Sequence, residues 1–511
     1  MRIPELSYRR MCAIAATVLV IGAAISPARA QSRTQLVVGV TDNINSHNPI
    51  ADSAAFMASV WCQVYGCLIT YDYEAVAYKG MLVERWEVAD PTTWIFHLRR
   101  DLKSHDGHLL TADDVVFSID RMKNDKQSAK RAQVAPIKSV EAIDQNTVRV
   151  VTNGPTADLL EYLTDHVLVM QKRLLETYGD READRNHPHG FGPYKLKELA
   201  IGNRVVLEKN PEWKGFRPDA PDTVIYRLMR ESEQRVTALL NGEIQIAQFV
   251  PPHLASRIEG SARHRIVTSG SIEMMFLAMS PKREPWNKKE LRQAVAYAID
   301  REAIIKTVLQ GQGKVLQGPL SRGQYAYDPD LGPKYSYDPE KARALVKQAG
   351  FPNGVDVELF TPVGRYINDK QVSEAMVAML RAVGIRAALK TPEWPTLWTD
   401  VQKGRVPFYY MGRGLMISGG PAISQYFETD ESPRIGYSNP AVDDLLRKSR
   451  ATFDQAEYIK TINRALSLIL DDAPAHFLWK HNILYGVSND IKFTPQPDHR
   501  VFGTSVQMNS K

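Results

Sequence analysis

The chain has 511 residues, 44% hydrophobic and 24% charged, with 9% aromatic residues. That profile is globular and excludes a disordered chain, and the length calls for more than one core, since a single core seldom grows past about 250–300 residues. The net charge is +6; Arg2, Arg9, Arg10 and Arg29 against Glu5 hold half of it, so the remainder is only mildly basic and offers no concentrated footprint for nucleic acid.

Arg9-Arg10 precedes a nearly unbroken apolar run of 13 residues from Ala13 to Ile25. Ala28-Arg29-Ala30 follows as a small-residue cleavage site. This order is that of an export signal cleaved after Ala30, and the run falls short of the roughly 20 residues that span a bilayer. No later stretch is long and apolar enough to span one, so a periplasmic location is expected. Of the three cysteines, Cys12 leaves with the signal. Cys62 and Cys67 are either a disulfide or two buried thiols. An i, i+5 spacing on a continuous helix places them poorly, whereas a helix ending at Gly66 would let them meet.

Leu36–Val40 reads as a buried first strand, and Ala54 to Leu68 has helical apolar spacing. Trp86–Val88 and Trp94–Arg99 alternate with period 2 around an Asp90-Pro91 turn. Thr111 and Asp114 form a capping box opening a helix through Met122. Strands follow at Thr147–Val151, near Phe191–Leu196, at Arg204–Leu207, and near 223–228, 244–249, 355–360 and 385–389. Leu291 to Leu309 carries one continuous helical stripe closed by Gly311. Asp338-Pro339-Glu340 starts a helix that stops at Gly350. Further helices are read at Ser373–Val383, Ala441–Arg450 and Gln455–Leu470. The mixture is α/β, without repeats or low-complexity linkers.

No nucleophile elbow, zinc-protease helix, phosphate loop or dinucleotide fingerprint is present. His105 and His108, or His187 and His189, could place imidazoles on a loop, but no carboxylate or Cys cluster completes a metal site, so turn and surface roles are expected. Asp113-Asp114 and Asp471-Asp472 read as helix-end features, because adjacent helical residues point about 100° apart. No catalytic residue, cofactor or metal is assigned.

Met81–Val88, Trp94–Arg99, His105-Asp106-Gly107 and Leu110–Ser118 together resemble the signature of the family 5 extracellular solute-binding proteins. Gly192-Pro193-Tyr194, Asn210-Pro211-Glu212-Trp213, Arg292–Arg301 and Tyr337–Arg343 follow in the family's order. The resemblance covers nearly the whole mature chain. It implies a periplasmic-binding-protein-like α/β fold, with two hinged lobes around a cleft plus an additional domain. Lobe one would combine 31–74, 190–284 and 486–511. The inserted domain would be 75–189, and lobe two 285–485.

The resemblance implies a monomeric periplasmic receptor of an ABC importer. It would take a peptide-like or other polar organic solute in the cleft and deliver it to permease subunits, without turnover. Trp394 is similar to a tryptophan near the ligand. Phe408–Met416 corresponds to a strand, a Gly-Trp pair and an acid that holds a peptide's amino group. Here Arg413 stands for the tryptophan and Met416 for the acid. The peptide-anchoring acid is thus missing at its usual place, and Arg413 could pair with a carboxylate or phosphate instead. Tyr410 lies on the same strand. Asp52 and Ser53 fall near the first cleft loop, and Met274 and Phe276 on a strand that usually lines the cleft. An opine, an oligosaccharide or a metal chelate is the alternative ligand, a chelate requiring His47, His105 or His189 in the cleft. A secreted hydrolase with a paired-carboxylate site is the alternative from another class.

Overall fold

The structure is a computed structural model, and it describes residues 35–52, 54–331, 335–414, 419–429 and 433–509. The expected signal segment, Ser53 and Met416 lie outside these residues. Strands alternate with helices as read: Gln35–Val40, Thr147–Thr152, Arg204–Lys209, Thr223–Leu228, Val355–Phe360 and Ile385–Lys390 are strands, and Asp369–Ala382, Pro440–Arg450 and Gln455–Asp472 are helices.

Local chemistry explains several element ends. Thr111 Oγ1 accepts from the Asp114 N–H while the Asp114 carboxylate accepts from the Thr111 N–H, completing the capping box of the helix Ala112–Asn124. Asp338 caps Pro339–Gln348 by accepting from the Lys341 N–H at 2.9 Å. The helix Ala55–Tyr65 stops at Gly66, whose φ of 80° suits a residue without Cβ. Cys62 and Cys67 are joined as a disulfide across that turn, with Cα atoms 5.2 Å apart.

One expected element is corrected. The stripe from Leu291 to Leu309 is two helices, Lys289–Ala298 and Arg301–Thr307. Between them Asp300 takes the N–H of Ala303 at 2.9 Å as an N-cap. An aspartate that bonds the following backbone competes with helix continuation, and apolar periodicity cannot register that competition. The strand expected near 244–249 pairs only over Ile246–Ala247.

The principal sheet has eleven strands. Along its main path they run Ile385–Lys390, Val355–Phe360, Phe408–Arg413, His264–Met279, Ala475–Ser488, Ile246–Ala247, Gln35–Val40, Thr223–Leu228, Arg204–Lys209 and Tyr194–Ala200; Gly313–Val315 adds to Ala475–Ser488. Gln35–Val40 is parallel to both its neighbours, and Val355–Phe360 to both of its own. The long strands His264–Met279 and Ala475–Ser488 are antiparallel and join the two halves. A separate four-stranded antiparallel sheet takes its strands from 83–152.

Period-2 alternation sends the faces of the long strands into different cores. Met275, Leu277 and Met279 pack with Phe408, Tyr410, Leu478 and Trp479. Met274, Phe276 and Ala278 pack with Tyr409, Met411 and Phe477. Fully burying a side chain of this size contributes about 1.5–3 kcal/mol, so both faces anchor the joint between the halves.

Candidate functional site

Ligands of open α/β sheets bind outside the carboxyl ends of parallel strands. Here three such ends converge. Thr41 and Asp42 follow the strand Gln35–Val40, Phe249 to His253 follow Ile246–Ala247, and Arg365 to Asn368 follow Val355–Phe360. Together with Glu273 and His481 from the two long strands, they line a cavity of about 560 Å³. That volume is within the range that encloses a small organic ligand.

Arg365 is presented on a rigid loop. The buried Asp369 carboxylate accepts four backbone N–H bonds, from Gly364 (3.0 Å), Arg365 (2.9 Å), Tyr366 (3.0 Å) and Lys370 (2.9 Å). Asn368 adopts a left-handed conformation and donates its side-chain N–H to the Val308 carbonyl at 2.8 Å. Tyr366 donates its hydroxyl to the Gly412 carbonyl at 3.1 Å. The exposed Arg365 guanidinium lies over the rings of Tyr366 and Trp394, 5.0 and 5.3 Å from their centroids. Aromatic faces hold a cation without consuming its N–H donors. Among the described residues Arg365 forms no ion pair within 4.0 Å and no side-chain hydrogen bond, so its fork is open to the cavity.

Two carboxylates share the cavity wall. Burial pushes Asp42 above the usual carboxylate range, Asp52 adds repulsion, and the Arg365 charge opposes both. Burial likewise raises Glu273, again against Arg365. Neither carboxylate has an ion pair among the described residues, and the hydrogen bond given for Asp42 comes from its own backbone N–H. Glu273 projects where the register between the long strands shifts, between Gly270 and Met274. A Cβ at Gly412 would come within 2.7 Å of the Tyr366 ring and 3.1 Å of Glu273 Oε1, so the missing side chain makes room for both. His481 is 3% exposed, and burial lowers its pKa to about 4 against a hydrogen bond with the Gln312 backbone.

From Arg365 a row of alternating aromatics and arginines continues. Trp394 stacks on Trp398 at 5.7 Å and 17°. Arg434 lies over Trp398 and Tyr426, 5.2 Å from each. Arg413 lies over Tyr426 at 5.4 Å and donates to Gln425 Oε1 at 2.5 Å. Of the residues singled out from sequence, Trp394 therefore backs the cavity's cation, and Arg413 sits at the far end of the row. Asp52 is close enough to Asp42 to raise it; one of its oxygens accepts from the Ala54 N–H and the other is buried without a partner. Tyr410, Met274 and Phe276 are not on the cavity wall; they are 0%, 4% and 1% exposed and belong to the cores.

The histidines considered for a metal stand elsewhere. His105 is tied to the backbone of Gly190 and Gly192. His47 borders a different depression with Asp125, Asp180 and Arg185, and His187 stacks on Tyr178. Among the described residues, one group has the convergence of a metal site, Cys62, Cys67 and Asp165, and its cysteines are the disulfide. Sequence reading missed Asp42, Glu273, Arg365 and Asp369. Arg365-Tyr366 lay between a strand and a helix, which was the available signal; nothing local marked Asp42 or Glu273.

Known proteins share this architecture. The sequence model of the bacterial extracellular solute-binding proteins, family 5 (middle region), matches residues 77–432. The dipeptide-binding protein of Escherichia coli K12 is 27% identical over 461 residues, covering 84% of this chain and 86% of the relative. The glutathione-binding protein GsiB of Escherichia coli O157:H7 is 28% identical over 471 residues, covering 89% and 90%. Among solved structures, HbpA2 from Haemophilus parasuis superposes with a TM-score of 0.85 at 21% identity, over 93% of this chain and 100% of that one. AgaA from A. tumefacien R10, in complex with agropinic acid, reaches 0.73 at 26% identity, over 93% and 99%.

Proposed function

Because the chain belongs to the family 5 bacterial extracellular solute-binding proteins, as a substrate-binding receptor of an ABC importer, we propose that its ligand is a small carboxylate-bearing, peptide-like solute held in the Arg365 cavity. The observation that carries this reading is the unpaired Arg365 fork, fixed by Asp369 and backed by Tyr366 and Trp394. A guanidinium in such a mount pairs bidentately with a carboxylate. Dipeptides, glutathione and agropinic acid, named for the relatives above, all carry one.

The receptor works in the periplasm after removal of residues 1–30, as a monomer and without turnover, and hands its solute to permease subunits. Its lobes are 31–74, 190–284 and 486–511 on one side and 285–485 on the other, with 75–189 inserted. The joint through His264–Met279 and Ala475–Ser488 supports this division, as does the separate sheet drawn from 83–152. Closure about that joint would bury the solute. Trp394 backs the Arg365 guanidinium and Asp52 acts on Asp42, while Arg413 lies farther along the row, against Tyr426 and Gln425.

The test is a thermal-shift panel on refolded, ligand-stripped protein: Ala-Ala, Ala-Lys, glutathione, octopine, maltotriose and nickel–histidine. At 100 times its Kd a ligand adds about 2.7 kcal/mol. Stabilisation by carboxylate-bearing members and none by maltotriose is expected; stabilisation by maltotriose alone, or turnover of any member, would overturn the proposal. The nickel arm addresses a second reading, favoured by the buried, neutral His481 imidazole in the cavity wall.

A further inference from the structure

The cavity's ionisable lining is unbalanced. Asp42 and Glu273 face it with Arg365, while His481 is held neutral by burial and His253 is exposed. Two carboxylates against one guanidinium leave the wall one negative charge in excess. Most buried carboxylates elsewhere in the chain have partners: Asp184 takes Arg121, and Asp165 takes Arg500. Asp114 takes two backbone N–H groups and two side chains. Glu273 and Asp42 are half-buried in the cavity wall without an ion pair among the described residues; burial acts on both, and the hydrogen bond given for Asp42 comes from its own backbone N–H. An acid partly withdrawn from water without a counter-charge is costly to keep, and binding sites are where such a cost recurs.

We infer that the solute carries two cationic centres beside its carboxylate, with Glu273 and Asp42 as their anchors. The class is a dibasic amino-acid conjugate, such as a dipeptide containing lysine, ornithine or arginine. This rests on the cavity being the solute site, as proposed above. The carboxylate pairs with Arg365, and each ammonium finds one carboxylate that the protein leaves unpaired. The anchor for the amino group then comes from the wall around Arg365, at Glu273 or Asp42, rather than from position 416, where Met416 has no charge to offer. His481, buried in the same wall against the Gln312 backbone, has a second ring nitrogen to hydrogen-bond a polar group of the solute. Compact size suits the class, because 560 Å³ encloses a dipeptide with a long side chain and little more.

The experiment is calorimetric titration of the full mature protein with Ala-Lys and with Ala-norleucine, which differ by the terminal ammonium. On the wild type Ala-Lys should bind at least about tenfold more tightly, the weight of a charge-assisted hydrogen bond. In Glu273→Gln the ratio should fall to within about twofold while Ala-norleucine keeps its affinity. Should Asp42 hold the side-chain ammonium instead, Asp42→Asn would collapse the ratio and Glu273→Gln would weaken both peptides alike. Either pattern upholds the inference. Equal or tighter binding of Ala-norleucine by the wild type, or a ratio that survives both substitutions, would overturn it. If neither peptide binds, the peptide-like reading of the cavity falls with it, an outcome distinct from binding without preference.

A second readout needs no ligand. Glu273→Gln removes an unpartnered carboxylate, so the ligand-free protein should melt higher than the wild type at neutral pH. A lower melting temperature would show that Glu273 is a structural acid and would overturn its role as an anchor.

Discussion

Arg365→Ala separates binding from folding. In the structure the guanidinium has no acidic partner and touches the protein through two aromatic faces. Removing it therefore sacrifices about 0.5–1 kcal/mol of exposed cation–π contact per face and breaks no ion pair, although Asp42 and Glu273 lose the one charge that opposes their burial. For the roughly 480 residues that the proposed cleavage leaves, the unfolding entropy near the melting temperature is about 1 kcal/mol per degree, so the ligand-free protein should melt within about two degrees of wild type. The bound state loses much more. A bidentate charge-assisted pair is worth about 3 kcal/mol, a factor of about 150 in Kd. At a concentration that stabilises the wild type by about 2.7 kcal/mol, the variant should gain only about 0.3 kcal/mol. In differential scanning calorimetry the ligand-induced shift would shrink from nearly three degrees to a few tenths. Arg365→Lys keeps the charge but not the fork and should fall between. The reasoning is refuted if Arg365→Ala retains the full shift for those panel members that stabilise the wild type, or if the ligand-free variant melts many degrees lower.

Asp369→Ala should weaken the same ligands at least tenfold, because four backbone donors lose their acceptor and the Arg365 loop loses its shape; titration calorimetry decides, and unchanged affinity would show that the loop holds itself. Gly412→Ala places a methyl against Tyr366, Met275 and Glu273, and overpacking of this kind costs about 1–3 kcal/mol, seen as a lowered melting temperature together with loss of binding. Ala-Lys affinity should fall as pH is lowered through the raised pKa values of Asp42 and Glu273, since protonation removes the anchors; with His481 neutral above about pH 4, an affinity that rises on acidification would contradict the assignment. Asp114→Ala strips the acceptor from the Thr111 and Lys172 N–H groups, the Thr111 hydroxyl and the His108 ring, so denaturation should show a loss of about 3 kcal/mol or more, with ligand affinity unchanged.

Sequence alone determined what neighbours along the chain decide. The capping box at Thr111 and Asp114, the Asp338-Pro339 start and the glycine stop at Gly66 depend on a few adjacent side chains and backbone groups, so they were legible and the structure carries them. The α/β class and the family likeness were legible too, because long motifs in a fixed order leave few alternatives. Asp300 marks the limit of that reading: its cap breaks a helix whose apolar stripe runs straight through it. Tertiary structure decided the site. Asp42, Glu273, Arg365 and His481 are spread over more than four hundred residues and meet only because three strand ends and two long strands share one sheet. Alternation along His264–Met279 announces two faces, but only the neighbouring strands and helices show that Met274 and Phe276 enter a core while Glu273, at the register shift, enters a cavity. Periodicity encodes burial, whereas a binding site depends on which buried groups are left without partners, and that is settled by packing across the whole chain.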